Sequence, residues 1–178
     1  MTMTMNELEY VRSTVRQVPD FPKPGILFLD ITTATKDAKS MKLMIDFLYE
    51  KFKDERIDYI AGIESRGFIF GAPLACRLGA GFVPIRKPNK LPADTIKESY
   101  SLEYGTDTIE MHADAVNAGD RVLVIDDLLA TGGTVQAAIK LIEQLGGEVV
   151  GLSFLIELDD LNGKEKLKGY KVNSLLHY

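Results

Sequence analysis

One stretch narrows what this chain can fold into more than any other: Val122-Leu123-Val124-Ile125-Asp126-Asp127-Leu128-Leu129-Ala130-Thr131-Gly132-Gly133-Thr134. Val122 to Ile125 is an unbroken apolar run, three of its four residues β-branched. That is the pattern of a central parallel strand covered on both faces, where polar alternation is not expected. The strand is expected to stop where the two carboxylates appear. Asp126 and Asp127 then stand at its carboxyl end, the edge at which open α/β sheets bind ligands. Ala130 to Thr134 supplies small side chains, hydroxyls and two glycines, so several backbone N–H groups can turn toward one anion.

A helix is expected from Thr134 to Leu145, because Val135, Ala138, Ile139, Ile142 and Leu145 recur at helical spacing and Gly146-Gly147 ends the run. Its N-terminus favours a phosphate, through free N–H groups and the helix dipole. The carboxylates before it suit hydroxyls or a divalent cation instead. Together they ask for a sugar phosphate. No Gly-Lys-Ser/Thr follows at Walker spacing, and no G-x-G-x-x-G supports a dinucleotide site. The competing reading is an ordinary strand-turn-helix with two solvated aspartates.

With 178 residues, 46% hydrophobic and 26% charged, the chain has the size and composition of one domain with a substantial core. A net charge of −5 with scattered basic residues argues against electrostatic nucleic-acid binding. No apolar run reaches the roughly 18 residues needed to span a membrane, and the N-terminus lacks the basic and apolar regions of a signal peptide, so a cytoplasmic location is expected. The single Cys76 lies in an apolar helical stretch and reads as a buried small hydrophobe. His112 and His177 have no partners at metal-ligand spacing and read as structural or surface residues.

Elsewhere, Asn6–Arg16 reads as a short amphipathic helix, and Lys39–Lys53 as a covering helix with Met41, Met44, Ile45, Leu48 and Phe52 on one face. Ile57–Ile63 is a strand leading through Glu64-Ser65-Arg66-Gly67 into a helix from Phe68 to Leu78, a second strand-turn-helix whose N–H groups and Arg66 guanidinium suit another anion. A strand over Gly81–Ile85 runs into Arg86, Lys87 and Lys90, cations fitted to a polyanion or simply solvated in a basic loop. Tyr100–Tyr104 and Thr108–His112 form a hairpin; Val149–Ile156 and Val172–Leu176 are further strands, the last at an edge. Strands alternating with helices imply an α/β domain with a mostly parallel central sheet of about five strands flanked by helices.

Four motifs, in order, resemble the adenine phosphoribosyltransferases, members of the type I phosphoribosyltransferase family: P-D-F-P-x-P-G-I-x-F-x-D-I-T from Pro19, G-I-E-S-R-G from Gly62, P-I-R-K-P-x-K-L-P with Y-S-L-E-Y-G, and V-L-V-I-D-D-L-L-A-T-G-G-T. The resemblance runs from Pro19 to the C-terminus. It implies the type I phosphoribosyltransferase fold over residues 1–178 as a single domain, with residues 1–35 as a small N-terminal hood over the sheet's carboxyl edge and a mobile hairpin loop. It implies transfer of the phosphoribosyl group from phosphoribosyl pyrophosphate to adenine, yielding AMP and pyrophosphate, by a homodimer.

Carried over residue by residue, Asp126 and Asp127 hold the ribose hydroxyls and Ala130, Thr131, Gly132, Gly133 and Thr134 hold the 5′-phosphate. Arg66 and Arg86, with Lys87 and Lys90, stabilise pyrophosphate. Leu27 contacts adenine through its main chain, and Ile125 and Tyr104 join the substrate-binding set. Glu103 handles the proton on the purine. Mg²⁺ is the implied cofactor, held mainly by substrate with Asp126 and Asp127 nearby, and an unusual or cis peptide is expected near Glu64-Ser65. The sequence departs from the commoner family pattern at Leu29, where arginine is usual. Hypoxanthine, xanthine or orotate transfer would keep the central motif with another base pocket; a ligand-sensing regulator would keep the phosphate site without catalysis.

Overall fold

The computed structural model of the chain describes residues 3–101 and 105–178. They fall into one unit ending at Lys51 and a second from Phe52 to Tyr178. In the first, α1 (Met5–Thr14) opens with a reciprocal cap: Thr4 Oγ1 accepts from Glu7 N, and Glu7 Oε2 accepts from Thr4 N at 2.8 Å. The helix stops earlier than its periodicity predicts because Arg16 pairs with Asp30, committing β1 (Arg16–Pro19) to an antiparallel hairpin with β2 (Leu27–Asp30). The proline-rich turn between them is tied by Gly25 N donating to Asp20 Oδ1 at 2.7 Å and contains a cis Phe21–Pro22 bond. Leu29 is a buried strand side chain. Helices α2 (Thr32–Lys36) and α3 (Ala38–Phe52) follow.

The second unit is built on a five-stranded parallel sheet of β3 (Tyr59–Ile63), β4 (Gly81–Ile85), β7 (Arg121–Leu129), β8 (Glu148–Glu157) and β9 (Val172–His177), in the order β4-β3-β7-β8-β9. A separate hairpin pairs β5 (Thr95–Ser101) with β6 (Thr106–His112), so its first strand begins earlier than the alternation near Tyr100 predicts. Helix α4 (Arg66–Leu78) connects β3 to β4, and α5 (Gly133–Gln144) connects β7 to β8. Ala61, Ile63, Val122 and Val124 pack in the cluster that holds Val135, Ala138 and Ile142 of α5, while Ile60 meets α4 near Gly71. The period-2 strand geometry thus sends the two helices to opposite faces.

Val122 through Ile125 are each 0% exposed, as a strand covered on both sides requires. The strand does not end at the carboxylates: it continues to Leu129, since Leu128 and Leu129 keep their register with Ile156 and Glu157 of β8. Cys76 is a second correction. It is exposed, because α4 buries Gly67, Phe70, Gly71, Leu74 and Ala75, a stripe that leaves position 76 on the outer side.

Candidate active site

The chain leaves β3 toward β4 on one side and leaves β7 toward β8 on the other. The point where the strand order reverses therefore lies between β3 and β7, and it is there that open α/β sheets place their ligand crevice. Both strand-turn-helix segments singled out in the sequence meet there. A cleft of about 200 Å³ is lined by Arg66 and by the run from Asp126 to Val135.

The floor of the cleft is the β7–α5 connection. Gly132 has φ +80° and caps α5 with no side-chain hydrogen bond, leaving the first-turn N–H groups for a ligand. Ala130, Thr131, Gly132, Gly133 and Thr134 all line the cleft, and Thr134 already belongs to the helix. Ile125 is buried in the strand beneath, with its carbonyl turned toward Gly67: a Cβ there would lie 2.6 Å from that oxygen. This close approach brings the start of α4 against the acidic end of β7, and only glycine permits it.

Asp127 is 3% exposed, and Arg66 Nε stands 2.6 Å from its Oδ2 as an ion pair. Asp126 Oδ1 accepts from Asp127 N at 2.9 Å. Burial, reinforced by the neighbouring Asp127 charge, pushes the Asp126 carboxyl well above its ordinary range, and Arg66 only partly offsets this. The two carboxylates with one guanidinium form a site short of positive charge. It is chemically suited to ribose hydroxyls and a hard divalent cation.

The wall beyond Arg66 is cationic but already paired. Helix α4 begins at Arg66, slightly earlier than its apolar periodicity predicts, after a cis Glu64–Ser65 peptide and with no side-chain cap at Ser65. Glu64 accepts from Arg86 Nε at 3.0 Å and from Lys87 N at 2.9 Å. Burial raises the Glu64 pKa, but the Lys87 N–H and Arg86 outweigh it and hold the carboxyl below its usual range. Arg86 also donates to the Lys90 carbonyl at 3.3 Å, shaping the turn that carries the exposed Lys90 ammonium. Lys87 Nζ pairs with Asp107 and reaches Tyr100 Oη at 3.3 Å, joining this wall to the β5–β6 hairpin. The hairpin in turn rests on α5, where Lys140 pairs with Glu98 at 2.6 Å.

Glu103 and Tyr104 lie outside the described residues; Ser101, just before them, has its carbonyl oxygen 3.3 Å from where a Cβ on Gly133 would sit. Leu27 opens β2 in the N-terminal unit and is 49% exposed. Two features escape a reading by spacing. His177 Nδ1 lies 2.9 Å from Asp159 Oδ1 and 4.0 Å from Glu157 Oε2, because the parallel β8–β9 register sets Glu157 opposite His177. The segment after β8, with 3₁₀ turns over Asp159–Leu161 and Gly163–Leu167, folds back onto the cleft floor: a Cβ at Gly163 would meet the Ala130 carbonyl oxygen at 2.1 Å. In the sequence the run Glu157-Leu158-Asp159-Asp160-Leu161-Asn162-Gly163 resembles the family's segment near the base and its flanking loop, but its contact with Ala130 is not readable there.

Residues 32–176 match the family model for the phosphoribosyl transferase domain. The adenine phosphoribosyltransferase of Koribacter versatilis is 58% identical over 168 residues, covering 94% of this chain and 92% of that one. A crystal structure of adenine phosphoribosyltransferase from Thermoanaerobacter pseudethanolicus superimposes with a TM-score of 0.93 at 54% identity, over 96% of this chain and 99% of its own. The Saccharomyces cerevisiae enzyme, crystallised with an imino-altritol bisphosphate and adenine, gives 0.90 at 41% identity over 97% and 99%. The chain belongs to the phosphoribosyltransferase family, within its adenine phosphoribosyltransferases.

Proposed function

We propose that the chain transfers the 5-phosphoribosyl group of phosphoribosyl pyrophosphate to adenine, forming AMP and pyrophosphate. The observation that carries this is the cleft at the strand-order reversal, where an uncapped helix N-terminus, an acidic pair and an arginine converge in a chain 58% identical to a named adenine phosphoribosyltransferase. It is a glycosyl transfer, in which displacement of pyrophosphate builds positive charge on the ribose, so positioning and leaving-group stabilisation carry the reaction.

The Ala130–Thr134 loop anchors the 5′-phosphate as a fixed pivot. Asp126 and Asp127 orient the ribose hydroxyls, and their negative charge favours the developing cation beside them. Arg66 and Arg86, with Lys87 and Lys90, take up the pyrophosphate charge; Arg66 leaves Asp127 and Arg86 leaves Glu64 as it arrives. The carboxylate donors of Asp126 and Asp127 fit Mg²⁺, which when bound supplies neutralisation of the leaving group. Leu27 offers its main chain to adenine, Ile125 and Tyr104 complete the substrate contacts, and Glu103 manages the purine proton as N9 attacks. Residues 1–178 act as one phosphoribosyltransferase domain, with 1–35 as its hood and the hairpin as a mobile loop that excludes water. The working form is a cytoplasmic homodimer.

The test is nucleotide formation by purified protein with Mg²⁺ and phosphoribosyl pyrophosphate, offering adenine, hypoxanthine, guanine, xanthine and orotate separately. AMP from adenine alone is expected. No nucleotide from any base would remove the assignment.

A further inference from the structure

We propose that Gly163, remote in sequence from the phosphate loop, is a positioning residue for that loop, acting through direct backbone contact. The inference rests on the reading of Ala130–Thr134 as the 5′-phosphate site. A Cβ at Gly163 would lie 2.1 Å from the Ala130 carbonyl oxygen and 3.2 Å from Gly132 N, and a Cβ at Gly132 would lie 2.7 Å from the Gly163 carbonyl oxygen. Two glycines thus lie back to back with no side chain between them. Separations this short are backbone against backbone, so neither partner has a flexible end that can swing away.

The reason for glycine at 163 is this contact alone. Gly163 is not among the glycines with positive φ, so its backbone conformation is open to alanine. The segment cannot retreat easily either. Leu158 N donates to the Leu129 carbonyl at 2.9 Å before it, Gln136 Nε2 of α5 donates to the Lys166 carbonyl at 3.0 Å, and Leu167 is 1% exposed in the core. Pinned at three places, the 158–167 segment is a buttress against which the phosphate loop is set. Gly132 needs its left-handed φ to aim the loop, and the contact with Gly163 holds that turn in place.

Gly169 provides a matched control. It lies just beyond the same segment with φ +98° and nothing within 4 Å of where a Cβ would sit, so Gly169→Ala strains the backbone without touching the loop. Ribose 5-phosphate binding by calorimetry, KM for each substrate, kcat and Tm are measured for wild type, Gly163→Ala and Gly169→Ala. Gly163→Ala is expected to weaken ribose 5-phosphate and raise KM for phosphoribosyl pyrophosphate by about 10- to 100-fold, the worth of one hydrogen bond to a charged group. KM for adenine stays unchanged, and Gly169→Ala lowers Tm with no effect on ribose 5-phosphate. A folded Gly163→Ala protein with wild-type ribose 5-phosphate affinity would overturn the proposal. Should that variant not fold, Gln136→Ala frees the far end of the buttress; it is expected to weaken ribose 5-phosphate about two- to tenfold, the worth of one hydrogen bond, and unchanged affinity there overturns the proposal equally. Wild-type protein that binds no ribose 5-phosphate would remove the loop assignment instead, a different failure from a variant that binds normally.

Discussion

The two strand-turn-helix segments that meet in the cleft share one architecture and divide its chemistry. Each sends a parallel strand into a helix whose N-terminus has no side-chain cap, at Ser65 for α4 and at Gly132 for α5. At β3–α4 the turn is surrounded by fixed charge: Arg66 and Arg86, balanced by Asp127 and Glu64. At β7–α5 the loop itself is neutral, and what it offers an anion is backbone N–H groups turned by a left-handed glycine. A site built from charge tolerates small shifts, because Coulomb attraction falls slowly with distance. A site built from backbone donors does not, because hydrogen bonds weaken steeply as they lose alignment. Under the proposed reaction, the charged turn suits the polyanionic leaving group and the neutral loop suits the fixed phosphate.

The largest expected effect falls on the acidic pair between the two segments. Asp127→Asn should lower kcat/KM for phosphoribosyl pyrophosphate by about 100-fold or more, comparable to losing one preorganised electrostatic contact; near-normal steady-state rates in it and in Asp126→Asn would take both out of the site. Next comes the charged wall. Arg86→Gln should reduce kcat/KM by about 10- to 100-fold, the worth of a hydrogen bond to a charged group, and this loss should shrink in high salt. A loss independent of ionic strength would show that Arg86 acts by shape.

Gly67→Ala probes the contact between the segments. Its methyl would approach the Ile125 carbonyl to 2.6 Å, and overpacking of this kind costs about 1–3 kcal/mol, which thermal melting should register as roughly 2–4 °C per kcal/mol. Asp126→Asn should move Tm the other way. The Asp126 pKa is raised by folding, through burial and the Asp127 charge, so its favourable contribution is complete below the unfolded value and is lost as pH rises through the folded one. The variant should therefore melt higher than wild type at neutral pH, and the gap should close in acid; a constant gap would contradict an origin in the buried Asp126 charge. The smallest effect is Lys140→Ala. This exposed ion pair with Glu98 is worth no more than about 1 kcal/mol, and a larger fall in Tm would mean that the hairpin depends on α5 more than their contact shows.

Much of this is legible in the chain alone. The Val122–Ile125 run has the pattern of a covered strand, the helical spacing from Val135 located α5 within a residue, and the order of turn and helix put both strand-turn-helix segments at one sheet edge. Where the sequence misled, a long-range partner decided. The carboxylates did not end β7, because ladder bonds to β8 outlast the change in polarity. Cys76 sits among apolar neighbours yet faces outward, since a helix buries one stripe and residue 76 falls off it.

The sequence by itself determined the alternating α/β order, the buried central strand and the chemistry of the Asp126–Thr134 run. Those properties are local: periodicity, β-branching and loop composition act over a few residues. Only the tertiary structure decided that Arg66 pairs with Asp127, that His177 finds Asp159, and that Gly163 lies on Ala130. Each depends on which strands lie side by side and in what register. That choice is fixed by packing the whole sheet, so no spacing along the chain records it.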